Sequence, residues 1–375
     1  MAGLRHAHGP ADAATMPTMA AAAPLSRSYR DARTGFLTAA AGASARIRSF
    51  AHPCTGLEGE ELFVDVAEVG PVDAAEAVVV VSSTHGVEGY LGSALQRHHL
   101  DALAGAPDAG PAIVFVHALN PYGFSWVRRV NEDNVDLNRN FIDWAQPPPA
   151  NPDYRELAAA LVPDDWSDAS QERTLLVLAA KLEEVGIERV QQIVSGGQYD
   201  DPTGVFYGGA GAVWSNRWLR RFLGERLAAV RRAGIVDLHT GLGPWGHGEL
   251  ISSEVPDSDA AARQRRWWGE VTSLHDGTSV SAQLEGDWLT AAPGFSPETE
   301  ITGIAIEYGT VDSITVLQSL RADAVLHAHG DPTAAAADAI REQVRGAFLD
   351  DDPSWLTACT PRYDEVLATA IAHLS

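Results

Sequence analysis

The sequence predicts an α/β protein built on a doubly wound, mixed but mainly parallel sheet flanked by helices. Three observations support this. Short β-branched runs recur along the chain with helical segments between them. The clearest run, "AEAVVVVSS", is continuously apolar up to Val81, as suits a strand covered on both faces. Polar residues follow several runs directly, which puts reactive side chains at the sheet edge where open α/β folds hold ligands.

Residues 1–34, "MAGLRHAHGPADAATMPTMAAAAPLSRSYRDART", are Ala-rich and interrupted by prolines, and they lack the continuous apolar core of a signal peptide. A disordered or weakly ordered leader is expected there, with cytoplasmic residence. Strands are expected at the valine run before Ser82, in "PAIVFVHALNP" (111–121), "RVQQIVSGG" (189–197), "AGIVDLHTGLG" (233–243) and "ITGIAIEYGT" (301–310). Apolar residues at helical spacing mark 170–186, 213–234, 331–351 and 361–374. "AQPPPANPD" at 145–153 is the most linker-like stretch, but its neighbours carry no sign of a second core. Residues 35–375 are therefore expected to form a single domain, with a helical insertion around 150–232.

Composition narrows the function. The 375 residues carry 50 acidic against 27 basic side chains, a net charge of −23, which argues against nucleic acid and anionic membranes as partners. No apolar run reaches the roughly 18 to 20 residues of a membrane span. Cys54 and Cys359 are the only cysteines, too few for a disulfide framework or a four-thiolate zinc site. A metal site in this chain must be built from histidine and carboxylate.

Such residues occur at the strand ends. In "SSTHGVEGY", His85 and Glu88 are three residues apart, so one helical turn places them on one face. On its own this pair is weak evidence and reads more readily as a helix-capping turn. The run "IVDLHTG" also ends in polar residues, Asp237 and His239, and His239 would complete a His-Glu-His set, the three-ligand pattern of a catalytic zinc with one open position. Glu307 lies inside the apolar run "IAIEYGT". It is either an edge-strand surface carboxylate or a desolvated one, whose raised pKa would suit a general base. "NPYGFSWVRRVNEDNVDLNRNF" (120–141) gathers Arg128, Arg129, Asp136, Asn138 and Arg139. These residues form either solvated ion pairs or a guanidinium site for a carboxylate. The glycine-rich stretch 195–211, with Tyr207, is either a flap over the site or a turn cluster. No Gly-x-Ser-x-Gly elbow occurs, which argues against a serine hydrolase.

Five motifs in this order, "THGVEGY", "NPYGF", "NVDLNRNF", "DLHTG" and "IEYGT", resemble the zinc carboxypeptidase superfamily, which also contains aspartoacylase and succinylglutamate desuccinylase. Within it the chain most resembles the DUF2817 family, over about residues 75–312. The resemblance implies one zinc per chain, held by His85, Glu88 and His239, with Glu307 as the base that activates water. It implies that Asp136 orients the first zinc histidine and that Asn138 and Arg139 hold a substrate carboxylate. Arg129 would polarise the scissile carbonyl, with Arg128 as the alternative. The implied activity is hydrolysis of an amide or peptide bond beside a free carboxylate, on a small peptide or an N-acyl amino acid. The alternatives are an N-acyl amino acid deacylase of the aspartoacylase type and a metal-binding protein without catalysis. Tyr207 is expected to contact substrate from its loop. The chain departs from digestive carboxypeptidases in lacking an obvious counterpart of the tyrosine that closes over their substrate.

Overall fold

A computed structural model describes residues 24–105, 109–281 and 283–375. Eight strands, β1 (Arg46–Thr55), β2 (Glu61–Val69), β3 (Glu76–Val81), β4 (Ala112–His117), β5 (Arg232–Trp245), β6 (Gly248–Ser252), β7 (Thr272–Ser273) and β8 (Glu300–Gly309), form one sheet. Their order is β1-β2-β4-β3-β5-β8-β6-β7. The centre, β4-β3-β5-β8, is parallel, while β2 joins β4, and β6 joins β8, antiparallel.

The valine run explains the layering. Val78 and Val80 point into one hydrophobic cluster, whereas Ala77, Val79 and Val81 point into the other. Alternate side chains leave opposite faces of a strand, so only a strand covered on both sides has apolar residues at every position. The chain runs from β3 to β4 on one side and returns to β5 on the other, which makes the carboxyl end of β3 a topological switch point.

Two expectations are corrected. Residues 189–197 are not a strand: helix Ile187–Ser195 spans most of them. Val190, Ile193 and Val194 recur at helical spacing among polar Arg189, Gln191 and Gln192, and Ile193 and Val194 are buried, so period 3.6 prevails over β-branched content. The expected leader also ends earlier than residue 34. Helix Tyr29–Gly42 starts inside it, capped by the Ser28 hydroxyl accepting from the Asp31 N–H, and buries Tyr29, Ala32 and Phe36. Residues 1–23 of that expected leader lie outside the described residues.

Residues 150–232 hold the helices Tyr154–Leu161, Asp168–Val185, Ile187–Ser195 and Trp214–Leu227. Arg321 fastens the first of these to the body of the protein. Its guanidinium, buried, donates to the carbonyls of Ala160 and Leu161, to Thr174 and to Gln171 and Gln318. Among the described residues, no helix is long and apolar enough to cross a membrane.

Candidate metal centre

β3 ends at Val81, and Ser82, Ser83 and Thr84 carry the chain to His85. A tight turn, Gly86–Glu88, follows and leads into helix Gly89–Leu103. The turn is pinned to the arginine segment: the N–H groups of Gly86 and Val87 donate to the carbonyls of Arg129 and Arg128, at 3.0 and 2.8 Å. A Cβ on Gly86 would lie 2.0 Å from the backbone of Gly123, so glycine is required for this approach.

His85, Glu88 and His239 converge, each offering one ligand atom, with these atoms within 4.8 Å of one another. His85 Nδ1 lies 2.9 Å from Glu88 Oε1, and His239 Nδ1 lies 2.9 Å from Glu88 Oε2. The two Nδ1 atoms are 3.2 Å apart. Behind each ring stands a carboxylate: His85 Nε2 faces Asp136 Oδ1 at 3.2 Å, and His239 Nε2 faces Asp237 Oδ2 at 2.6 Å. An ionised carboxylate only accepts, so each Nε2 donates outward, and each Nδ1 faces Glu88, as a proton donor in the protein alone or as a ligand lone pair once a cation takes the proton's place.

Two lone pairs and a carboxylate facing one another require positive charge among them. Burial opposes the anion of Glu88, but the two imidazoles outweigh it and lower its pKa to about 2. Burial likewise opposes charge on His239, yet Asp237 and Glu88 hold its pKa well above the usual range. This donor set fits a divalent cation such as zinc, with three protein ligands.

Glu307 is half-buried on β8, directly across from His239 in the β5–β8 register. Its Oε1 accepts the Leu242 N–H at 2.9 Å. Burial first, and then the negative charge of Glu88, push its pKa up to about 7, against the pull of His239 and Arg129. Glu307 therefore meets the sequence expectation of a desolvated carboxylate and not that of a surface one.

The two neighbouring arginines separate cleanly. Arg128 is buried and pairs through Nε with Asp323 at 2.9 Å on helix Ser313–His329, which fixes it to the fold. Arg129 turns to the cluster, with Nε 3.0 Å from Asp136 Oδ2 and Nη1 3.4 Å from Glu88 Oε1. Asp136 thus serves His85 with one oxygen and Arg129 with the other. Asp323→Ala should strand the Arg128 charge and lower the free energy of unfolding by about 3 to 5 kcal/mol in urea denaturation. Metal content should be unchanged, and a loss below about 1 kcal/mol would remove the pair from the stabilising interactions.

Arg139 differs from the other buried arginines. Arg128 and Arg345 pair with carboxylates, and Arg321 is saturated by carbonyls, hydroxyl and amides. Among the described residues, the Arg139 guanidinium donates only to the carbonyls of Asn138 and Ser195, at 3.0 and 2.5 Å. Its Nε has no partner among the described residues. Burial and the nearby Arg129 lower its pKa, while Asp136 works against them. Asn138, half-buried, donates its N–H to Asp136 Oδ1 and accepts the Trp288 N–H through its own Oδ1 at 3.4 Å.

Tyr207 is placed otherwise than expected. Its side chain is 7% exposed and belongs to the hydrophobic cluster with Val135, Leu137 and Val213, while its carbonyl accepts the Asp136 N–H at 2.8 Å. The neighbouring residue, Phe206, faces the arginines: its ring centroid lies 5.6 Å from the guanidinium carbon of Arg129 and 5.5 Å from that of Arg139. Sequence reasoning missed Phe206, whose placement depends on a left-handed backbone at φ 54° that shifts which of two adjacent aromatics turns inward. The 195–211 stretch is a pinned wall and not a flap. Asn140 Nδ2 donates to the carbonyls of Gly208 and Gly211, Asn134 Nδ2 to those of Pro202 and Gly204, and the Tyr199 hydroxyl to that of Arg139. His117 is a core residue stacked on Phe36 with Nε2 3.0 Å from the Ser93 hydroxyl, and His247 is exposed.

Fold and site together define an α/β protein whose sheet, at its switch point, carries a buried His-Glu-His cluster able to hold a cation, flanked by a carboxylate and two arginines. The chain belongs to the DUF2817 family, described as a protein of unknown function, whose family model matches residues 25–362. Solved structures similar to the chain include carboxypeptidase A from Helicoverpa armigera, at 12% identity and a TM-score of 0.45, over 86% of this chain and 74% of that one. Bovine thrombin-activatable fibrinolysis inhibitor, in complex with tick carboxypeptidase inhibitor, matches at 10% identity and a TM-score of 0.47, over 93% of this chain and 97% of that one. Succinylglutamate desuccinylase from Chromobacterium violaceum matches at 14% identity and a TM-score of 0.36, over 85% and 77%. No curated protein matches the chain.

Proposed function

We propose that the protein is a zinc-dependent hydrolase that cleaves an amide or peptide bond adjacent to a free carboxylate. The observation that carries this reading is Arg139, a buried guanidinium with no carboxylate partner among the described residues, set on the same short segment as Asp136 and thus beside the cation cluster. A buried, under-satisfied fork of N–H donors suits a planar carboxylate, which would add the charge pairing and hydrogen bonds that Arg139 lacks.

His85, Glu88 and His239 would hold the zinc, which when bound supplies Lewis acidity and an activated water. Glu307 takes the proton of the attacking water on its carboxylate and returns it to the departing amine nitrogen. Arg129 places positive charge where the carbonyl oxygen becomes negative, and Asp136 keeps its guanidinium in that orientation. Arg139 and the Asn138 side chain hold the terminal carboxylate, and Phe206 covers both guanidiniums, thinning the water around them. Small peptides and N-acyl amino acids both carry the required bond and carboxylate.

The test is a screen of the purified, zinc-loaded protein against N-blocked dipeptides and N-acyl amino acids. Hydrolysis of either class supports the proposal, and no turnover of any free-carboxylate amide overturns it. Metal content is tested separately. Wild type should carry about one zinc per chain, and the His85→Ala, His239→Ala double variant should lose it. Equal zinc in the two proteins would place the metal elsewhere.

A further inference from the structure

We propose that Trp288 is a positioning residue of the metal centre, whose indole N–H holds Asp237 in the orientation that turns His239 Nδ1 toward Glu88. This inference rests on the reading of the His85, Glu88, His239 cluster as a metal site. Asp237 and His239 are two residues apart on β5, so their side chains leave the same face of the strand. Asp237 is fully buried, and besides His239 its carboxylate meets two donors from elsewhere in the fold. The Thr84 hydroxyl donates to Oδ1 at 2.8 Å. Oδ2 receives both the Trp288 indole N–H and His239 Nε2, each at 2.6 Å.

These contacts fix the plane of the carboxylate at two points besides the imidazole. A carboxylate clamped at both oxygens cannot rotate about its own bond, and the imidazole that donates to it is oriented in turn. Without the indole donor, Oδ2 keeps His239 alone, and both side chains gain freedom to turn away from the geometry that aims Nδ1 at Glu88. Trp288 borders the other half of the site as well, because its backbone N–H donates to Asn138 Oδ1. One residue therefore ties the metal-ligand side to the residues that face Arg139.

Trp288 is also completely buried in a hydrophobic cluster, so a purely packing role has to be separated from a positioning one. Trp218 supplies the control. It is 3% exposed in the same cluster, and its indole N–H has no partner among the described residues. Trp288→Phe and Trp218→Phe remove similar volume from one cluster, but only the first removes a donor to Asp237.

The experiment measures zinc affinity of the full-length, metal-free protein by competition with a chromophoric chelator, alongside thermal midpoints of each variant. Trp288→Phe should weaken zinc binding about ten- to a hundredfold, the range typical of partners behind metal-binding histidines. Trp218→Phe should bind zinc as wild type does, even where its midpoint falls as far. Thr84→Val, which removes the donor to the other Asp237 oxygen and leaves both tryptophans in place, should weaken binding in the same direction, and it serves as the test if Trp288→Phe does not fold. Wild-type zinc affinity in Trp288→Phe, or equal losses in both tryptophan variants, overturns the inference while leaving the metal site intact. Failure of wild type itself to bind zinc would instead remove the metal reading on which it rests.

Discussion

Glu307→Gln is expected to keep its zinc and lose about a hundred- to ten-thousandfold in kcat. An amide preserves the shape of the side chain and can still accept the Leu242 N–H, so the local fold should survive. What it lacks is the capacity to take a proton at the remaining oxygen. The pH dependence offers an independent readout. In the protein alone, burial and Glu88 place the Glu307 pKa at about 7, so the base is half protonated near neutrality and fully competent only above it. A cation on His85, Glu88 and His239 adds positive charge beside the carboxylate and moves that value down. The acid limb of kcat/KM should therefore fall at or below about 7 in the loaded wild type and should vanish in whatever activity Glu307→Gln retains. Wild-type kcat in a variant of normal zinc content would take Glu307 out of the mechanism.

The central sheet could be read from the sequence because its strands are buried on both faces, and a short, continuously apolar and β-branched run such as Val78–Val81 suits a covered strand far better than a helix or a surface. The outer strands could not. β1 is exposed or half-buried throughout except for His52, and "RIRSFAHPCT" resembles a loop until it pairs with β2. Its partner helix Tyr29–Gly42 was hidden behind an alanine-rich, proline-broken start that reads as low complexity. The candidate metal residues could be picked out because His85 and Glu88 lie in the turn just past an apolar run and His239 ends another, where polar side chains need a reason. Arg128 and Arg129 were not separable by sequence, since adjacent residues differ only in direction, and direction is decided by Asp323 from a helix nearly two hundred residues away. The same holds for Phe206 and Tyr207: a single residue in the left-handed region reverses which ring faces the arginines. Trp288 reaches the site only through the fold, by a hydrogen bond that no local motif encodes.

If Arg139 grips a terminal carboxylate, as proposed, converting that carboxylate to an amide should cost wild type about 2 to 5 kcal/mol in kcat/KM, the range for stranding one member of a desolvated charge pair. That corresponds to roughly thirty- to four-thousandfold. The environment of the residue explains why the effect should be large. Burial and Arg129 both disfavour the guanidinium, its Nε is unpartnered among the described residues, and its other donors reach only backbone carbonyls. A bound carboxylate answers each of these deficits, whereas a neutral amide answers none of the charge. The surrounding protein sharpens the argument, because a net charge of −23 repels anions at long range, and only local positive charge can draw one in. Arg139→Ala should reduce turnover of the free acid while scarcely changing that of the amide, so the preference collapses toward unity. Arg139→Lys should retain part of it, since a point charge attracts the carboxylate without matching its two oxygens. If the preference for the free acid is as large in Arg139→Ala as in wild type, the guanidinium serves only to hold the 195–211 wall through Ser195, and carboxylate recognition must reside in another group, with Arg129 the nearest cation to examine.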